Sequence, residues 1–134
     1  MLNLSDVTQL ARSSQLLDKL LATQYKLQDR FGTWDKIRDD PAARQNFLNQ
    51  IFLALTEETV EIMRETAYKN PEFVPFGWKK GQKFNDEGFK SEIIDQLHFW
   101  LVLALVAGFR DGHEIYEAYL RKNNINHERQ ANGY

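Results

Sequence analysis

Five acidic side chains stand in two tight groups. Glu57-Glu58-Thr59-Val60-Glu61 holds three of them, and Glu92 with Asp95 repeats the three-residue interval. On a helix turning about 100° per residue, Glu58 and Glu61 lie about 60° apart and Glu57 and Glu61 about 40° apart. All three therefore share one flank. Glu58 also falls within the apolar series Leu48, Ile51, Leu55 and Ile62, so it looks toward a core. An ionised carboxylate facing a core is costly unless it is paired or bound to a cation. The nearest bases, Arg64 and Lys90, are too few to neutralise five acids. The two pairs Glu58/Glu61 and Glu92/Asp95 on neighbouring antiparallel helices would offer four oxygen ligands, as divalent ions bridging phosphates require. The competing reading is a solvated helix surface, because acids at these intervals are common on exposed helices.

A second constellation is basic and polar. Lys122, Asn126 and Arg129 follow i, i+4, i+7 and line one face if their helix continues that far. A Lys/Asn/Arg face can hold phosphate oxygens and a sugar hydroxyl. The alternative is a polar, fraying tail.

The elements that must position these groups are helical. Leu10, Leu17 and Phe31, with Leu20 and Leu27 on the same side, predict a first helix over about Ser5 to Arg30. Gln24 occupies the vacant place in this seven-residue series, and an amide on a core-facing stripe needs a partner. A turn-like segment from Gly32 to Pro41 follows. Asp40 as N-cap and Pro41 as first helical residue then open a second helix reaching about Tyr68. Asn70 to Gly88 carries Pro71, Pro75 and several glycines and is predicted as a loop. It is rich in aromatic residues (Phe73, Phe76, Trp78, Phe84) and in lysine (Lys79, Lys80, Lys83). Loops of this length are usually functional or disordered, and the aromatics favour function. Trp78 or Phe84 can stack on a base or plug a small satellite core, and the lysines can steer an anionic substrate or simply be solvated. A third helix, about Phe89 to Ala107, is apolar on every side beyond Leu97 and requires burial all round. A lone bundle of this size would not enclose it, which predicts a dimer or higher oligomer. His98 is either a partner of the acidic site or a satisfied buried side chain. Asp111 and Glu114 are spaced as a capping box for a fourth helix reaching Arg121 or beyond.

Composition narrows the classes. A net charge of −2 argues against a general nucleic-acid binder. The absence of cysteine removes disulfides and thiolate metal sites, so any metal must be held by oxygen or by the three histidines, and oxygen-rich sites suit magnesium or manganese. The longest apolar stretch, Leu97 to Phe109, is too short for a membrane span of about 20 residues, and no basic, apolar leader pattern opens the chain. A single cytoplasmic domain over residues 1–134 is expected.

Taken together, Glu57-Glu58-x-x-Glu61, Glu92-x-x-Asp95 leading into Gln96-Leu97-His98-Phe99, Lys122-Asn123-x-x-Asn126-x-x-Arg129-Gln130 and the closing Gly133-Tyr134 resemble the all-α NTP pyrophosphatases. Trp78-Lys79-Lys80 and the Lys122–Gln130 segment make the dimeric dUTPase branch the nearer resemblance, ahead of the MazG-like branch. The resemblance implies a four-to-five-helix all-α bundle, assembled as a dimer or tetramer. It also implies Mg²⁺-dependent cleavage (Mn²⁺ as substitute) of a deoxynucleoside triphosphate, most closely dUTP, to the monophosphate and pyrophosphate. Glu58, Glu61, Glu92 and Asp95 would then be metal ligands, and Glu57 a ligand or the group orienting the attacking water. Lys122 and Arg129 would grip phosphates, Asn126 the sugar or phosphate, and Gln24 and Trp78 the base. For Gln24 a core amide bonding nearby backbone is an equal alternative. The same reaction on dCTP, dGTP or a modified nucleotide, and a non-enzymatic helical oligomerisation module, are the rival readings.

Overall fold

The computed structural model describes residues 15–133, which form five helices and no strand: α1 (Gln15–Arg30), α2 (Thr33–Ile37), α3 (Pro41–Arg64), α4 (Asp86–Val106) and α5 (Gly112–Ala131). The start assigned to the first helix and its Leu10 lie outside the described residues. The all-α class follows from the sequence pattern. The described residues group into two compact units. One is Gly32–Leu103, and the other combines the segment up to Phe31 with the segment from Ala104.

Within the second of these, α1 buries a different stripe from the predicted one. Leu21 and Gln24 are buried and Leu17 is half-buried, whereas Leu20, Leu27 and Phe31 are exposed. The reason is a close approach to the start of α5. Asp18 Oδ1 accepts a hydrogen bond from Gly112 N at 2.7 Å. A Cβ on Gly112 would sit 2.9 Å from Leu17 Cβ, so only glycine lets the two segments meet. That contact turns the Leu17, Leu21, Gln24 side inward. Helix α5 begins as expected, with Asp111 Oδ1 accepting from Glu114 N at 2.8 Å. The reciprocal half of the capping box is missing. The Glu114 carboxylate instead accepts from Arg110 N at 2.9 Å and Arg110 Nε at 2.8 Å. These bonds hold the Glu114 carboxyl below its ordinary range and raise the Arg110 guanidinium.

In Gly32–Leu103 the segment before Asp40, predicted as a turn, contains the short helix α2, which buries Trp34 and Ile37. Asp40 caps α3 as predicted, Oδ1 accepting from Ala42 N and Ala43 N at 2.9 Å each. The predicted side of α3 also holds: Ile51 is buried and Leu48, Leu55, Glu58 and Ile62 are half-buried. The helix stops at Arg64, short of Tyr68. Glu65 N and Thr66 N tighten to Ile62 O and Met63 O, and the chain is then drawn aside by Asn70. This buried amide donates to Gln82 O at 2.9 Å and accepts from Glu72 N at 3.0 Å. Gln82 Oε1 in turn accepts from Lys69 N at 2.7 Å. Polar cross-links organise the loop; of its aromatics Phe84 packs on Phe89 with ring centroids 4.9 Å apart, whereas Phe73 and Trp78 are exposed and Phe76 is 98% exposed.

Helix α4 starts at Asp86, three residues before its predicted start at Phe89. Asn85 supplies the cap, its Oδ1 accepting from Gly88 N at 3.3 Å and its carbonyl from Phe89 N at 2.8 Å. Among the described residues, α4 is not buried all round. Leu101 and Val102 are buried, but Trp100 keeps 55% of its surface exposed, and Ile93 and Ile94 are also exposed.

Candidate metal centre

The acids lie in the middle of an antiparallel register between α3 and α4. Gln96 Nε2 donates to Thr59 Oγ1 at 2.8 Å, and Thr59 Oγ1 donates to Leu55 O at 2.8 Å. At the other end, Asn85 Nδ2 donates to Glu65 Oε2 at 2.6 Å and Asn85 N to Glu65 O at 2.8 Å. Glu61 and Glu92 lie between these two ties and Glu58 one residue outside the first, and the three bring carboxylate oxygens within 4.8 Å of one another. The predicted pairing of the two acidic segments is therefore present for three of the four expected ligands. Asp95 is exposed and falls outside this triad, yet its charge acts on both Glu58 and Glu92. Glu57 is exposed, and its charge also reaches Glu58.

The electrostatics are unfavourable as they stand. Burial, then the charges of Glu61, Asp95, Glu92 and Glu57, push the Glu58 carboxyl above its ordinary value. Burial, then Glu61, Asp95 and Glu65, push Glu92 up in the same direction. Among the described residues none of the five acids forms an ion pair, and Lys90 is engaged by Glu87 at 3.0 Å. Glu58 Oε2 is buried without a hydrogen-bond partner. An orphaned carboxylate oxygen among like charges is the arrangement a hard divalent cation relieves, and an all-oxygen donor set fits Mg²⁺ or Mn²⁺.

The other candidates are placed as follows. Gln24 is 4% exposed, in the unit that contains α1 and α5. Helix α5 continues through Lys122, Asn126 and Arg129, so the three share one helical face. Arg129 borders a shallow surface pocket with Ile125, Glu128, Asn132 and Gly133. Trp78 is exposed, with Lys69 Nζ 5.6 Å from its ring centroid. His98 Nδ1 lies 2.8 Å from Ile94 O on its own helix, but the side chain is exposed and not buried as expected, because its position faces solvent. Sequence reasoning missed Thr59, Gln96, Glu65 and Asn85. Thr59 between two acids and Gln96 beside Asp95 were the available signal.

A helical chain with acids gathered where two antiparallel helices meet has the architecture of the all-α nucleotide hydrolases. The family model described as dUTPase matches residues 16–111, and the chain belongs to that family. It fits the all-α branch and is a dUTPase-like nucleotide hydrolase by family. The match includes Glu57, Glu58, Glu61, Glu92 and Asp95 and ends before Lys122. No curated protein and no solved structure matches the chain.

Proposed function

We propose that this protein hydrolyses dUTP to dUMP and pyrophosphate in a reaction that requires Mg²⁺. The observation that carries the reading is Glu58 Oε2, buried and unpartnered within a carboxylate triad whose family is dUTPase. Glu58, Glu61 and Glu92, with Asp95 beside them, would hold the ion. When bound, Mg²⁺ neutralises charge on the phosphate oxygens and favours in-line attack by water. Glu57, exposed next to Glu58, is assigned to orienting that water and receiving its proton. Lys122 and Arg129 are assigned to phosphate oxygens and Asn126 to the sugar or phosphate. Gln24 and Trp78 are assigned to the base.

The test is a panel of nucleoside triphosphates assayed for pyrophosphate with and without Mg²⁺. dUTP should be turned over fastest, with Glu58→Ala and Glu92→Ala inactive while retaining helical circular dichroism. Preference for dCTP, dGTP or a modified base would keep the reaction and replace the substrate. Unchanged turnover in both variants would sink the site assignment.

The exposed Ile93, Ile94 and Trp100 on α4 support assembly as a homodimer or homotetramer, since a soluble chain seldom leaves such a strip in water. A helical oligomerisation module without enzymatic activity rests on the same strip. It leaves Glu58 Oε2 unexplained. A single cytoplasmic domain completes the proposal, and no described helix is long and apolar enough to cross a membrane.

A further inference from the structure

Glu65 shares a helix flank with Glu61, four residues away, and invites reading as a further ligand. Its contacts say otherwise. Its carboxylate accepts from Asn85 Nδ2 at 2.6 Å, and its carbonyl accepts from Asn85 N at 2.8 Å. Asn85 is the residue that caps α4 through Gly88 N at 3.3 Å. One glutamate at the end of α3 therefore grips the residue that starts α4. Four residues beyond Gly88 stands Glu92, and four residues before Glu65 stands Glu61. These are the two triad members that must meet across the helix pair.

Gly88 is fitted to this grip. A Cβ there would stand 2.5 Å from Asn85 Nδ2 and 2.6 Å from Glu65 Cδ, and would collide with Glu65 Oε2. A glycine in the first turn of a helix is otherwise a poor choice beside alanine. Its presence is explained by the carboxylate that lies against it.

We propose that Glu65 and Asn85 form a clasp that sets the separation of Glu61 and Glu92, making Glu65 a positioning residue and not a metal ligand. The proposal rests on the reading of the triad as a divalent-cation site. Partners that orient ligands without touching the ion typically change metal affinity by about 10- to 100-fold when removed.

The experiment is Mn²⁺ binding to the full chain without nucleotide, followed by electron paramagnetic resonance, with circular dichroism to verify folding. Glu65→Ala should weaken Mn²⁺ binding by about tenfold or more. Glu65→Gln keeps a carbonyl acceptor for Asn85 Nδ2 and should bind nearly as the wild type does. Gly88→Ala retains every acid and favours the helix, but drives the Glu65 carboxylate out of its place. It should resemble Glu65→Ala, and it keeps the test alive if that variant fails to fold. Wild-type affinity in both Glu65→Ala and Gly88→Ala would overturn the clasp. So would Glu65→Gln as weak as Glu65→Ala, because the charge would then matter and the hydrogen bond would not. A wild-type chain that binds Mn²⁺ but cleaves no nucleotide would remove the proposed function and leave this test standing. No Mn²⁺ binding by the wild type would overturn the clasp as a device of a metal site.

Discussion

The Thr59 hydroxyl accepts a hydrogen bond from Gln96 Nε2 at 2.8 Å while donating its own proton to Leu55 O at 2.8 Å. The bond joins α3 to α4 one residue from Glu58 on one side and one residue from Asp95 on the other. It holds together two segments whose charges repel.

Thr59→Val keeps the side-chain shape and removes the acceptor. It should lower stability in urea unfolding by about 0.5–1 kcal/mol, the net worth of a partly solvated hydrogen bond. Thr59→Val combined with Gln96→Leu should lose less than the two single variants summed. Strict additivity would mean that the pair is not coupled.

Glu58 and Glu92 are both raised, so the folded chain holds their protons more tightly than the unfolded chain. Their contribution to stability is complete below the unfolded carboxyl value and is lost as pH rises through the folded value. The ion-free protein should therefore lose part of its Tm as pH rises above the ordinary carboxyl value of about 4, and Glu58→Gln should flatten that loss. Mg²⁺ should restore more Tm near neutrality than in acid, because it competes with those protons. An Mg²⁺ effect independent of pH would contradict this.

Asp18 and Gly112 carry the meeting of α1 with α5. Asp18→Ala should cost about 1 kcal/mol, as the loss of a helix N-terminal partner does. Gly112→Ala should cost about 1–3 kcal/mol, as overpacking does, since its Cβ meets Leu17 Cβ. Differential scanning calorimetry reads both. If residues 1–134 act as one domain, each variant shifts a single transition; two separate transitions would show that the units unfold independently.

Asp40 caps α3 far along the chain from the acids. Asp40→Ala should cost about 1 kcal/mol in thermal unfolding while leaving Mn²⁺ affinity unchanged. A loss of affinity equal to that of Glu65→Ala would show that any destabilisation of α3 disturbs the site.

Trp100 is the largest side chain on the exposed part of α4. If that strip is covered by another copy, Trp100→Glu should shift the chain to a monomer in light scattering after size exclusion. An unchanged oligomer would place the interface elsewhere.

Much of this was legible in the residues. Asp40-Pro41 and Asp111 announce helix starts because capping is a local bargain between one side chain and the next few amides. The side of α3 that carries Glu58 follows from helical period alone. Helix α3 stops short of Tyr68 at a local signal, Thr66, whose N and Oγ1 both donate to Met63 O at 3.0 and 2.7 Å. The path of the loop beyond it is not local, since Asn70 bonds Gln82, twelve residues further on. Nor is the buried stripe of α1, which Gly112 selects from 94 residues away through Asp18.

The acid types, their three-residue intervals and the absence of thiolate ligands were set by the chain itself, and with them an oxygen-rich donor set on helices that suits a hard cation. Which carboxylates meet depended on the fold. Glu92 joins Glu58 and Glu61, while Asp95 stays outside, because Thr59–Gln96 and Glu65–Asn85 settle the register across separations of 37 and 20 residues. Helical period and capping act within a turn or two, so neither pairing is written into any local pattern. Each exists only once the chain has reversed after Arg64 and brought α4 back along α3.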